Sequence, residues 1–120
     1  MKFVARTVAF EGVTEGKVLA FSDRAKAEEP SAYVILSFAE EDEQDRALGL
    51  TGLHIETSED SGGYGYVEEV RYDGRSVLIV GRGRGDVEIV IDSDTITSEA
   101  IRAAVTSCNR ANATRPERAA

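Results

Sequence analysis

The chain has 120 residues with 42% hydrophobic content, which fits one ordinary domain and excludes both a second full core and wholesale disorder. Its 22 acidic residues against 14 basic ones leave a net charge of −8, which opposes general binding to a phosphate backbone. A single cysteine, Cys108, excludes an internal disulfide and matches a reducing compartment.

Most of the chain reads as strand. Residues 2–10 are rich in Val, Phe and Thr and read as the first strand, with Arg6 and Glu11 interrupting any signal-peptide-like apolar stretch. No run approaches the roughly 18 apolar residues of a membrane span. The expected location is therefore the cytoplasm. A Glu15-Gly16 turn leads to a strand over 17–21, and the polar stretch 23–30 reads as a loop. The strongest apolar run is 31–38, where Val34, Leu36 and Phe38 share one face and Tyr33 and Ile35 the other. Such a strand belongs at the centre of a sheet.

Beyond it, Leu53 and Ile55 alternate with His54 and Glu56, the mark of a half-buried strand with one wet face. Residues 64–72, 75–80 and 87–91 read as an antiparallel meander, turned first at Asp73-Gly74 and then at the glycines of 81–85. Finally Ile101, Ala104, Val105 and Cys108 fall at i, i+3, i+4 and i+7 of a helix capped at Thr97 or Ser98. Burying that stripe on the sheet contributes several kcal/mol at roughly 25 cal/mol per Å². The expected fold is thus α+β: a mainly antiparallel sheet of six or seven strands with one C-terminal helix packed on it. The domain is expected to span 1–112, with 113–120 as a frayed tail.

Chemistry has few candidates. His54 is the sole histidine, and Glu56 would project beside it, but Cα atoms two apart on a strand lie about 6.5 Å apart and no third member stands out. A hydrogen-bonded or buried structural histidine is the better reading, and no catalytic residue is assigned. Zinc needs about four ligands, which one histidine and a distant cysteine do not supply. The acids from Glu40 to Asp45 lack the ladder, the central Gly and the terminal Glu of a calcium loop. No metal or cofactor is expected. The run Gly81-Arg82-Gly83-Arg84-Gly85-Asp86 precedes a strand, not the helix a phosphate loop requires, and reads as a hairpin turn.

Charge distribution is more informative. Between Glu40 and Asp60 stand eight acids against Arg46 alone, and nine of the 11 glycines fall between Gly49 and Gly85. A basic protein would be drawn to such a field. In Ser61-Gly62-Gly63-Tyr64-Gly65-Tyr66, the two tyrosines are predicted to share one strand face beside those carboxylates. Tyrosine gives contact area at low entropic cost, so Asp42, Glu43, Asp45, Glu56, Asp60, Tyr64 and Tyr66 are the candidate partner-binding residues.

Several of these residues carry a family resemblance. The stretch Ser31-Ala32-Tyr33-Val34-Ile35-Leu36, then Asp42-Glu43-Gln44-Asp45 with Leu48-Gly49, His54-Ile55-Glu56 and Gly63-Tyr64-Gly65, resembles the immunity protein 10 family of bacterial polymorphic toxin systems. Order and spacing agree over residues 2–92, with departures at Ser37-Phe38, Glu59-Asp60 and Tyr64-Gly65-Tyr66. The resemblance implies a cytoplasmic protein that binds and neutralises a cognate toxin domain; the chain is read as non-enzymatic, and as a monomer or homodimer. Two other classes fit the residues alone: an acidic secretion-type chaperone, and a small enzyme built on His54 and Glu56.

Overall fold

The computed structural model describes residues 1–13, 16–24, 29, 31–39, 52–94 and 96–113. Among them are nine strands in two sheets and one C-terminal helix, so the α+β class read from the sequence holds. The strands are β1 (Lys2–Ala5), β2 (Thr7–Val13), β3 (Gly16–Ser22), β4 (Tyr33–Ala39), β5 (His54–Thr57), β6 (Gly63–Tyr64), β7 (Val67–Tyr72), β8 (Ser76–Gly81) and β9 (Val87–Ile91), followed by helix α1 (Ser98–Ala113). One sheet has the order β1-β9-β8-β7 and the other β2-β3-β4-β5-β6. The strands thus exceed the six or seven expected and divide into two sheets, and β1 pairs with β9 in parallel rather than antiparallel fashion.

The extra strands arise where a predicted strand breaks. Residues 2–10 do not run straight: at Arg6 the chain leaves β1 in one sheet and enters β2 in the other, with the Arg6 N–H donating to the Ser22 carbonyl at 2.8 Å. Residues 64–72 break likewise, β6 belonging to the five-stranded sheet and β7 to the four-stranded one. The meander β7-β8-β9 is antiparallel throughout, as its alternation predicts. β4 lies at the centre of its sheet, with Val34 and Leu36 fully buried and Tyr33 and Ile35 half-buried on the outer face.

Both inner faces feed one core. Leu19, Phe21, Leu36 and Ile55 from the five-stranded sheet and Val77, Ile79 and Ile89 from the other belong to a single buried cluster. Ile101, Ala104, Val105 and Cys108 complete it, so the periodic helical stripe is buried as its spacing requires. The thiol of Cys108 behaves as a small hydrophobe there, and burial pushes its pKa up to about 12.

The helix starts at a threonine cap. The Ala100 N–H donates to Thr97 Oγ1 at 3.1 Å and the Ile101 N–H to the Thr97 carbonyl at 3.0 Å, selecting Thr97 over Ser98. From there α1 runs antiparallel to β7: Tyr72 and Ser98 hydroxyls meet at 2.9 Å, and the Arg102 guanidinium sits 5.3 Å from the Tyr72 ring centre. Further along, Asn109 brackets one residue of the strand. Its Oδ1 accepts from the Val70 N–H at 2.8 Å and its Nδ2 donates to the Val70 carbonyl at 2.7 Å. Asn112 Nδ2 donates to the carbonyls of Val67 and Glu68, both at 3.0 Å. Side-chain amides thereby take the place of a further strand on an edge that would otherwise be open to pairing. No helix among the described residues is long and apolar enough to cross a membrane. Ala113, expected in the tail, is the last residue of the helix, and 114–120 lie outside the described residues.

Two predictions follow from these contacts. Replacing Asn109 by Leu strips Val70 of both partners; the expected loss is about 1–3 kcal/mol in denaturant unfolding, with faster hydrogen exchange at the Val70 amide. The second concerns the turn after β7, where Asp73 Oδ1 accepts from the N–H groups of Ser76 and Arg75, both at 2.8 Å. Those bonds hold the Asp73 carboxyl below its ordinary value of 3.8. A lowered folded value means stability present above the unfolded pKa and lost as pH falls through the folded one. Asp73→Ala is therefore less stable than the parent at neutral pH, and the gap in thermal midpoints closes below about pH 4.

Candidate functional site

The second change of sheet builds the site. After β5 the chain turns at Thr57, the one buried polar side chain among the described residues. Its hydroxyl accepts from the N–H groups of Glu59 at 3.1 Å and Asp60 at 3.2 Å, while its own N–H donates to the Asp60 carbonyl at 3.1 Å. Ser58 ties the same turn to β4, donating its N–H to the Tyr33 carbonyl at 3.0 Å and accepting the Tyr33 N–H on Oγ at 3.2 Å. The backbone carrying Asp60 is thus closed on itself and anchored to a central strand.

The next residues must pass close under that turn. Gly62 has φ 62, and a Cβ there would lie 1.7 Å from the Ile55 carbonyl oxygen, so only glycine fits. At Gly65, φ 84, the chain turns out of β6 towards β7. Tyr66 stands between the two sheets with 44% of its surface exposed, and its carbonyl accepts the Arg82 N–H at 2.9 Å. Through that bond the turn between β8 and β9 lies against the crossover.

That turn delivers Arg84. Its Nη2 meets Asp60 Oδ2 at 3.0 Å and its Nη1 meets Asp60 Oδ1 at 3.4 Å, a two-point ion pair. The Arg84 side chain is only 18% exposed while that of Asp60 is 51% exposed, so the cation faces inward and the anion outward. Arg84 Nε is buried and has no hydrogen-bond partner among the described residues. Asp60, Ser61, Gly62, Tyr66 and Arg84 line a surface cleft of about 260 Å³.

Of the predicted site residues, the structure brings together Asp60 and Tyr66. Tyr64 does not share a strand face with Tyr66, because Tyr66 lies in neither β6 nor β7 and β6 ends at Tyr64. Its ring instead packs edge-on against His54, with centres 5.0 Å apart. Glu56 is half-buried on the outer face of β5, two residues from His54, and neither of them lines the cleft. Asp42, Glu43 and Asp45 lie outside the described residues. No group of three or more metal-ligating side chains occurs among the described residues. Sequence reasoning missed Arg84, which it read as part of a glycine-rich turn. The available signal was an arginine placed where a hairpin turn has no use for its charge.

A family model described as Immunity protein 10 matches residues 4–94. This chain belongs to that family. Membership implies a toxin as the binding partner and points to a non-enzymatic role. No curated protein matches the chain.

The Thr57 hydroxyl is the testable support of the site. Thr57→Val keeps the shape and removes the acceptor for two backbone N–H groups, so unfolding should cost about 1–3 kcal/mol less in chemical denaturation.

Proposed function

We propose that this family member is a cytoplasmic bacterial immunity protein that binds one domain of its cognate toxin stoichiometrically and blocks it without chemistry of its own. The observation that carries the reading is the pairing of an exposed aromatic, Tyr66, with a carboxylate held in place by Arg84 and the Thr57 turn. Immobile aromatic and charged groups bind partners well, because little side-chain freedom is lost on docking. Elsewhere in the sequence Asp42, Glu43, Asp45 and Glu56 supply negative charge and Tyr64 a further aromatic side chain. Complementary charge speeds encounter with a basic partner and disfavours wrong ones. A net charge of −8 places the whole chain on the same side of that balance.

The experiment is capture of the partner from the native organism, identification of its toxic activity and titration of that activity with the purified chain. Full inhibition at one-to-one stoichiometry is expected, and a captured toxin that stays active in excess chain would refute the proposal. Tyr66→Ala should weaken the complex about 30-fold, the equivalent of roughly 2 kcal/mol. Reversing Asp42, Glu43 and Asp45 to lysine should slow association and flatten its salt dependence. Unaltered affinity and salt dependence would place the interface elsewhere.

A further inference from the structure

The cleft has a definite capacity. At about 260 Å³ it is smaller than the roughly 300–1,000 Å³ of sites for drug-sized ligands, so it suits one inserted side chain. Its chemistry is also definite. A carboxylate offers about four acceptor positions, and the Arg84 fork occupies two of those of Asp60. With half of the Asp60 side chain exposed, it keeps acceptor capacity open to solvent, in the cleft that exposed Tyr66 also lines. Glu59, exposed beside Asp60, adds a second negative charge, while Arg84 and the exposed Arg82 in the neighbouring turn carry the opposing ones. The ring packs against Gly63, where a Cβ would come within 3.2 Å of Tyr66.

We propose that the cleft receives one arginine side chain of the partner protein, with Asp60 bridging that guanidinium and Arg84 while the Tyr66 ring stacks on it. Arginine fits better than lysine because its planar fork can bond a carboxylate edge and lie flat on an aromatic face at once. Arg84 is then a positioning residue: it fixes the rotamer of Asp60 before the partner arrives. The proposal rests on the reading of the chain as a toxin-binding protein and adds which side chain of the toxin is taken.

The test needs no toxin. Blocked arginine (N-acetyl-arginine amide) is titrated into the isotopically labelled full chain and followed by NMR, with blocked lysine and blocked glutamate as comparisons. Saturable shifts centred on the amides of Ser61, Gly62, Gly63 and Tyr66 are expected with blocked arginine, and weaker ones with the other two. Asp60→Asn, which keeps shape, should weaken binding about tenfold or more. Tyr66→Ala should weaken it about two- to fivefold. Spectra unchanged away from the cleft report the intact fold of each variant. Absence of saturable shifts, equal binding of lysine or glutamate, or binding that survives Asp60→Asn would overturn the assignment. Its failure leaves one-to-one inhibition of a captured toxin standing, whereas arginine binding by a chain that inhibits no toxin would remove the functional reading instead.

Discussion

A chain that builds two facing sheets must carry its backbone from one layer to the other, and each passage has to satisfy polar groups without filling the core. The passage at Gly62–Tyr66 sets the rest of this molecule. Gly62 runs so close beneath the β5 backbone that no side chain fits, and the turn above it is held by a threonine hydroxyl rather than by strand pairing. Because the turn is fixed, Asp60 is fixed; because the exit at Gly65 points the chain towards β7, Tyr66 is left on the surface. The same constraint draws the β8–β9 turn inward, since the Tyr66 carbonyl needs the Arg82 N–H. The site is a by-product of a topological requirement, which makes it rigid.

The helix solves the opposite problem. Sheets end in edges whose N–H and C=O groups invite pairing with other chains. β7 is such an edge, and α1 closes it with Asn109 and Asn112 while pressing Ile101, Ala104 and Cys108 into the core. Asparagine suits this because one side chain offers both a donor and an acceptor in the spacing of a peptide unit. One helix thus contributes apolar burial from one stripe and polar satisfaction from the adjoining one, and the two depend on the same rotation about its axis.

What could be read from the residues alone follows the reach of local patterns. The meander was legible because Val77, Ile79, Val87 and Ile89 alternate without interruption, and the helix because four apolar residues keep its period. The break at Arg6 was not, although its trace is present. Phe3 and Ala5 face the core from β1, Val8 and Phe10 from β2, so the alternation slips by one residue at the bend. Composition hides that slip, since both halves are rich in strand formers. A similar slip follows Val67, where an irregularity in the pairing with β8 lets both Val67 and Val70 point inward. In the candidate site, the aromatic and the acid stand out in the sequence by their chemistry. Their partner Arg84 lies 24 residues from Asp60 and is brought there by two turns and a change of sheet, none of which leaves a local signature.

The ion pair also changes what the charge count means. Summed along the sequence, Asp60 is one more acid in a stretch of eight. In the folded chain its charge is offset by a guanidinium that points inward, so its worth to a partner is less its contribution to the long-range field than its fixed direction. Screening at physiological salt removes most of an exposed charge's influence beyond about 8 Å. A mobile carboxylate in that field must also give up its rotameric freedom on contact, whereas one already held by Arg84 and the Thr57 turn does not. In the proposed complex, long-range attraction and short-range recognition would therefore fall to different acids: the net negative charge would set how fast a basic partner arrives, and the pinned Asp60 how well it fits.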